Sequence, residues 1–220
     1  MLKALFKALR DVVSPELRSI LFKAIAMTAA LFAVILILVE VTVNYLVRFS
    51  WSWADWVLSI GTGLILVVAF FFLTAPVTVA FAGLFLDGIA ERVEKKHYPA
   101  DQPGTALAGF SALLVSLRFG GLVLLVNLAL LPAIFFGVGA ILLLIINAYL
   151  LSREYFEMAA MRHMPVDDAL RVRRENGPVI FVSGFVPAVL ALVPIVNLAV
   201  PLFATAYFVH IFKWVRASSA

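Results

Sequence analysis

The sequence predicts an all-α integral membrane protein: two long transmembrane helices, two helical hairpins that re-enter and only partly penetrate the bilayer, and an N-terminal amphipathic interfacial helix. Three observations predict it. First, 64% of the 220 residues are hydrophobic and 14% are charged, against about 25% charged in a soluble domain, which leaves too little polar surface to cover a globule. Second, the apolar runs 24–39 and 56–86 form the hearts of two crossings, each of which needs about 20 residues. Third, of the 17 Lys and Arg, all but Arg48 lie in segments that can share one side of the membrane. The positive-inside rule makes that side cytoplasmic. Residues 1–220 are read as a single membrane domain.

The elements follow in order. In MLKALFKALRDVV, residues 1–13, Leu2, Leu5, Phe6, Leu9 and Val13 share one helical face, and Lys3, Lys7 and Arg10 share another. That pattern suits a helix lying on anionic lipid. The basic 23-residue leader shows no small-residue cleavage site, so no removable signal peptide is expected. Residues 20–47 cross outward and 54–86 return. Between them RFSWSWADW carries Trp51, Trp53 and Trp56, residues that favour the headgroup level of the opposite face. Pro76 is expected to kink the second span.

Charge and length then dictate hairpins. The apolar blocks 119–152 and 177–212 are each flanked by cations at both ends, so each must start and finish in the cytoplasm. Two full crossings need about 40 helical residues plus a turn, and the blocks hold 34 and 36. The turns are expected near Pro132, Gly137 and Gly139 in the first and near Pro194, Asn197 and Pro201 in the second. Backbone groups freed there must be buried in protein or face water. Residues 104–117 and 153–174 read as further cytoplasmic or interfacial helices. Both termini are placed in the cytoplasm.

Three stretches carry a resemblance. They are GLFLDGIAERVEKKHY at 83–98, NAYLLSREYFEMAAMRHMPVDDALRVRREN at 147–176, and LVPIVNLAVPLFATAY at 192–207. In this order and spacing the chain resembles the CysZ sulfate-permease family of bacterial inner-membrane proteins over nearly its whole length. The resemblance implies sulfate uptake into the cytoplasm for cysteine synthesis. It also implies a homo-oligomer, a hexamer being one candidate, whose protomers have two long helices and two partly penetrating hairpins. Sulfate is expected at a Gly-apolar-Arg-Arg stretch opening the first long helix, which here is Glu16, Leu17, Arg18 and Ser19.

The location suits an anion on physical grounds as well. Ser14 can cap the helix and Pro15 fits its first position, leaving backbone N–H groups and the helix dipole free to meet an oxyanion. Arg18 adds a fork that matches tetrahedral oxygens. Glu16 in place of glycine competes for the same donors, and Ser19 in place of arginine offers only a hydroxyl; Lys23 can restore part of the charge. The alternative makes Glu16 a helix-dipole partner and Arg18 a lipid-surface anchor.

Asp87, Glu91, Arg92 and Glu94 are either the solvated end of the second long helix or, as the resemblance implies, a pore mouth or gate. Glu40 is an interface anchor or a proton-coupling acid. Asn44, Thr74, Thr78, Asn127 and Asn147 suit packing hydrogen bonds between helices. RVRREN at 171–176 reads as a topology determinant rather than a phosphate grip, and Arg118 is a weaker candidate for anion entry. His97, His163 and His210 are scattered, with no second ligand at metal spacing, so neither metal nor cofactor is expected. With no cysteine and no HExxH, GxSxG, Walker or GxGxxG element, the chain is not read as an enzyme. The pI near 9.6 reports topology rather than nucleic-acid binding. No ATPase is encoded, so transport would be channel-like or gradient-coupled. The alternative is a membrane-shaping scaffold that does not transport.

Overall fold

The computed structural model describes residues 1–46, 85–106 and 139–218, together with the single positions 60, 61, 64, 118, 121, 122, 125, 126, 128 and 129. Eight helices are described: α1 (Leu2–Val12), α2 (Pro15–Leu46), α3 (Leu86–His97), α4 (Gly139–Met161), α5 (Val166–Glu175), α6 (Gly177–Leu190), the single turn α7 (Pro194–Asn197) and α8 (Val200–Ser218). Among the described residues every regular element is a helix.

α1 stops because its last carbonyls are met by a turn and Pro15 follows. Ser14 N–H donates to the Asp11 carbonyl at 2.9 Å, and the Ser14 carbonyl then accepts from Arg18 N–H at 3.0 Å. Ser14 therefore stands at the N-cap and Pro15 at the first helical position, where its missing N–H costs nothing. From there α2 runs 32 residues, about 48 Å at 1.5 Å per residue. Its interior holds neither Gly nor Pro, so nothing interrupts it. Its segment Pro15–Val39 is long and apolar enough to cross a membrane, and only 6% of an apolar 18-residue window within it is buried inside the protein. Its greasy surface therefore faces outward rather than into a core.

α8 is the centre of the described structure. It is buried without interruption from Val200 through Lys213, and α1, α3, α4 and α6 all pack on it. A helix apolar on every side needs neighbours on every side. Phe212 meets Phe156 of α4 edge-on at 6.1 Å, and Phe208 stacks on Tyr155 at 6.4 Å. Ala4 and Ala8 let α1 lie close against this core. α4 and α6 cross so closely that a Cβ on Gly184 would lie 2.1 Å from the Ala148 carbonyl oxygen and 2.7 Å from the Ser152 Cβ.

Two expectations change. The first hairpin's second arm does not end at residue 152: α4 continues to Met161, because 147–161 contains no Gly or Pro. Residues 153–174 are thus divided between the end of α4 and α5, with Pro165 at the N-cap of α5. In the second block, α6 and α8 flank a turn at 191–199 that holds Pro194 and Asn197. The expected span 54–86, the tryptophan-rich turn before it and the Pro132 turn lie outside the described residues, apart from residues 60, 61, 64, 85 and 86. So do Thr74, Thr78, Asn127 and the side chains of Glu40 and Asn44.

The leader has three stripes. Ala4, Ala8 and Asp11 face the core; Lys3, Lys7 and Arg10 are exposed; so are Leu2, Phe6, Leu9 and Val13. Phe6 is 63% exposed and Val13 67%, an apolar ridge beside a cationic one, which is the surface an anionic bilayer would take up.

Candidate functional site: a basic cleft at the start of the long helix

The opening of α2 faces α3 across a cleft of about 380 Å³. Asp11, Ser14, Glu16 and Leu17 line one side, and Arg92, Val93, Lys95 and Lys96 line the other. Arg92 donates from Nη1 to the Glu16 carbonyl at 3.3 Å. The spacing of 92, 95 and 96 puts these cations on one face of α3, so three positive charges approach the N-terminus of a 32-residue helix, itself the positive end of a dipole.

The four residues expected to bind the anion divide in this geometry. Leu17 is buried, and its side chain anchors the turn to the core. Arg18 is exposed. Ser19 spends its hydroxyl on the Glu16 carbonyl at 2.8 Å. The Glu16 carboxyl is held below its usual range by its own backbone N–H and the Ser14 hydroxyl, and further by Lys96 and Arg92. That carboxylate occupies the place an oxyanion would take, so an incoming anion must displace it. Lys95 and Lys96 escaped the sequence reading, although their offset of three and four residues from Arg92 was visible.

Asp87, Glu91, Arg92 and Glu94 do not form one surface. Asp87 and Glu94, seven residues apart, turn inward together. Arg162, whose side chain is 1% exposed, donates to Asp87 at 2.6 Å and to both Glu94 oxygens at 3.1 and 3.2 Å. His163 Nε2 adds a contact to Glu94 at 2.8 Å, and the Gly104 N–H donates at 3.4 Å. Glu91 instead pairs with Lys95 at the surface, and Arg92 turns to α2. Burial acts to raise the Glu94 carboxyl, but the hydrogen bonds from His163 and Arg162 and the guanidinium charge prevail and hold it at about 2. A carboxylate depressed in the fold stabilises it above the unfolded value of 4.5 and loses that contribution as the pH falls. The denaturation midpoint is therefore expected to drop between pH 4.5 and about 2, and the Glu94→Gln variant is expected to show a flatter profile over that window.

A third centre joins α1, α3 and α8. Asp11, nine residues into α1, is fully buried. Lys96 donates to its Oδ1 at 2.7 Å, and His97 Nε2 lies 3.1 and 2.9 Å from its two oxygens. His210 Nε2 lies 3.6 Å from Oδ2. The histidines that look scattered along the chain are therefore not scattered in space: His97 and His210 are ring neighbours at 4.8 Å, while His163 stacks on Phe212.

Residues 4–201 match the family model described as EI24, sulfate transporter CysZ/etoposide-induced protein 2.4. No curated protein matches the chain significantly.

Proposed function

This chain belongs to the EI24 family, and on that premise we propose that it moves sulfate, or a similar oxyanion, across a bacterial inner membrane into the cytoplasm. The observation that carries the reading is the cleft where Arg92, Lys95 and Lys96 meet the start of α2. In this proposal a tetrahedral dianion displaces the Glu16 carboxylate from the helix N-terminus. Arg92 and the two lysines neutralise it, and Arg18 meets it at the outer rim. Asp87 and Glu94 are spent on Arg162 and hold the site's wall in place rather than lining a pore. The proposal includes a homo-oligomer, both termini in the cytoplasm, and the late hairpins entering the bilayer from that side.

Energy enters from gradients or from consumption of the ion inside. Moving a dianion inward against ~100 mV opposes uptake by roughly 4.6 kcal/mol, so a co-transported proton would help. Glu94 is held ionised and is a poor proton carrier. Sulfate flux into sealed vesicles is expected to rise with an inward proton gradient, and flux fully independent of that gradient would rule coupling out.

The deciding experiment is uptake of labelled sulfate by proteoliposomes, with sulfate affinity measured on the purified protein. Arg92→Ala and Arg18→Ala are each expected to weaken binding about ten-fold, the value of one charge-assisted hydrogen bond. Unchanged affinity in both would remove this cleft from the function. A second reading, a membrane-shaping scaffold, is favoured by the exposed Leu2–Phe6–Leu9–Val13 ridge; tight reconstitution with no flux would select it.

A further inference from the structure

From the convergence of Asp11, His97 and His210 we infer a binding site for a divalent transition-metal ion of the zinc type, adjoining the oxyanion cleft through Asp11. The three side chains each offer one ligand atom, all within 4.8 Å of one another. They come from three helices that the sequence sets far apart. Two imidazoles and one carboxylate are a donor set that suits zinc and its neighbours. With metal–ligand bonds near 2.0–2.2 Å, the donor atoms of a tetrahedral site stand about 3.3 Å apart. Here Asp11 Oδ2 is 2.9 Å from His97 Nε2 and 3.6 Å from His210 Nε2, and the whole trio lies within 4.8 Å, so seating an ion draws the two imidazoles together by up to about 1.5 Å.

The independent sign is His210. Its side chain is 1% exposed, yet Nε2 finds no hydrogen-bond partner among the described residues. An orphaned buried nitrogen is costly, and this one points at a carboxylate just past hydrogen-bond reach. A cation between them resolves both. The other ring nitrogen is already fixed: Nδ1 lies 2.8 Å from the Tyr98 hydroxyl. If Nδ1–H donates to that oxygen, the tautomer leaves the Nε2 lone pair free, the arrangement that orients metal-binding histidines. His97 is partly exposed and provides the entry, leaving the fourth position to water.

Nearby cations temper the affinity. Lys96 holds Asp11 Oδ1, and Lys7 and Lys213 each lie 5.5 Å from the Tyr98 ring centre. Lys96 is half-exposed and its Oδ1 contact leaves Oδ2 for the ion, so it can stay or turn into water.

The full chain is purified in detergent, freed of any polyhistidine tag, stripped with EDTA and titrated with zinc chloride. Metal retained after gel filtration is then counted by mass spectrometry. One zinc per chain is expected, and cobalt in its place is expected to give the visible absorption of a four-coordinate nitrogen–oxygen site. His97→Gln and His210→Gln are each expected to weaken zinc binding by at least about ten-fold, with helical content unchanged. His163→Gln, a histidine of the Glu94 network, is expected to bind as the parent does. Should the His210 variant not fold, the partly exposed His97 position decides. No stoichiometric zinc in the parent, full zinc retention in His97→Gln, or equal loss in His163→Gln overturns the site.

Discussion

Replacing Arg162 with Met is expected to destabilise the protein by about 3–5 kcal/mol, the cost of stranding a buried charge. The guanidinium is the common partner of Asp87 and Glu94, and both carboxylates lose their countercharge together. Glu94 is worse placed than Asp87, because its side chain is only 6% exposed against 20% and cannot turn to water without opening α3 from the core. The loss is expected as a lower denaturation midpoint in detergent with an unchanged slope, the sign of altered stability in an unaltered fold. Adding Glu94→Gln to Arg162→Met is expected to restore part of it, because the second change removes the stranded charge. A double variant as unstable as the sum of the two singles would mean that the pair does not interact. The test also separates structure from transport: sulfate binding at neutral pH should survive in molecules that stay folded.

Gly184→Val is expected to have the second large effect. Helix propensity alone favours replacing glycine inside α6 by any residue but proline, by up to about 1 kcal/mol. The crossing with α4 decides otherwise. A Cβ would sit 2.1 Å from a backbone carbonyl oxygen, and a carbonyl held in a helix cannot swing aside as a side-chain tip does. The helices must part, giving up packing around Ala148, Ser152 and Ala188. Overpacking of this kind costs about 1–3 kcal/mol, and the β-branched side chain takes the upper end of that range. The expected readouts are a lower thermal midpoint and faster proteolysis near 176–177. Gly184→Ala is expected to show the same direction with a smaller loss; a gain in stability from Ala would show that the crossing relaxes.

How much of this was legible in the sequence varies with the distance over which the signal acts. Helical class, the start of α2 at Ser14–Pro15, the striped leader and the Pro194 turn are written in adjacent residues, through caps, prolines and periodicity. The extension of α4 past residue 152 was legible too, in the absence of a breaker, but a change from apolar to polar composition masked it. Long-range partnership is different. Arg162 reads as one more cytoplasmic cation until α3 folds against it, and Asp87 and Glu94 read as solvent-facing until the same step. Nothing local distinguishes His97 from His163, although one meets Asp11 and the other meets Glu94. Among the cleft residues, Arg18 advertised itself by its place in the helix opening, whereas Lys95 and Lys96 looked like an ordinary charged helix end.

The central position of α8 has a consequence for synthesis. The ribosome makes about 5–20 residues per second, so the first helix emerges roughly 10–40 seconds before the strip of chain on which Ala4, Ala8 and Asp11 will rest. During that wait its apolar ridge and its cations are open to the lipid surface that the proposed reading gives them. On the proposed reading the leader rests on the bilayer first, Asp11 gains Lys96 and His97 when α3 arrives, and the clasp closes only with the last helix described.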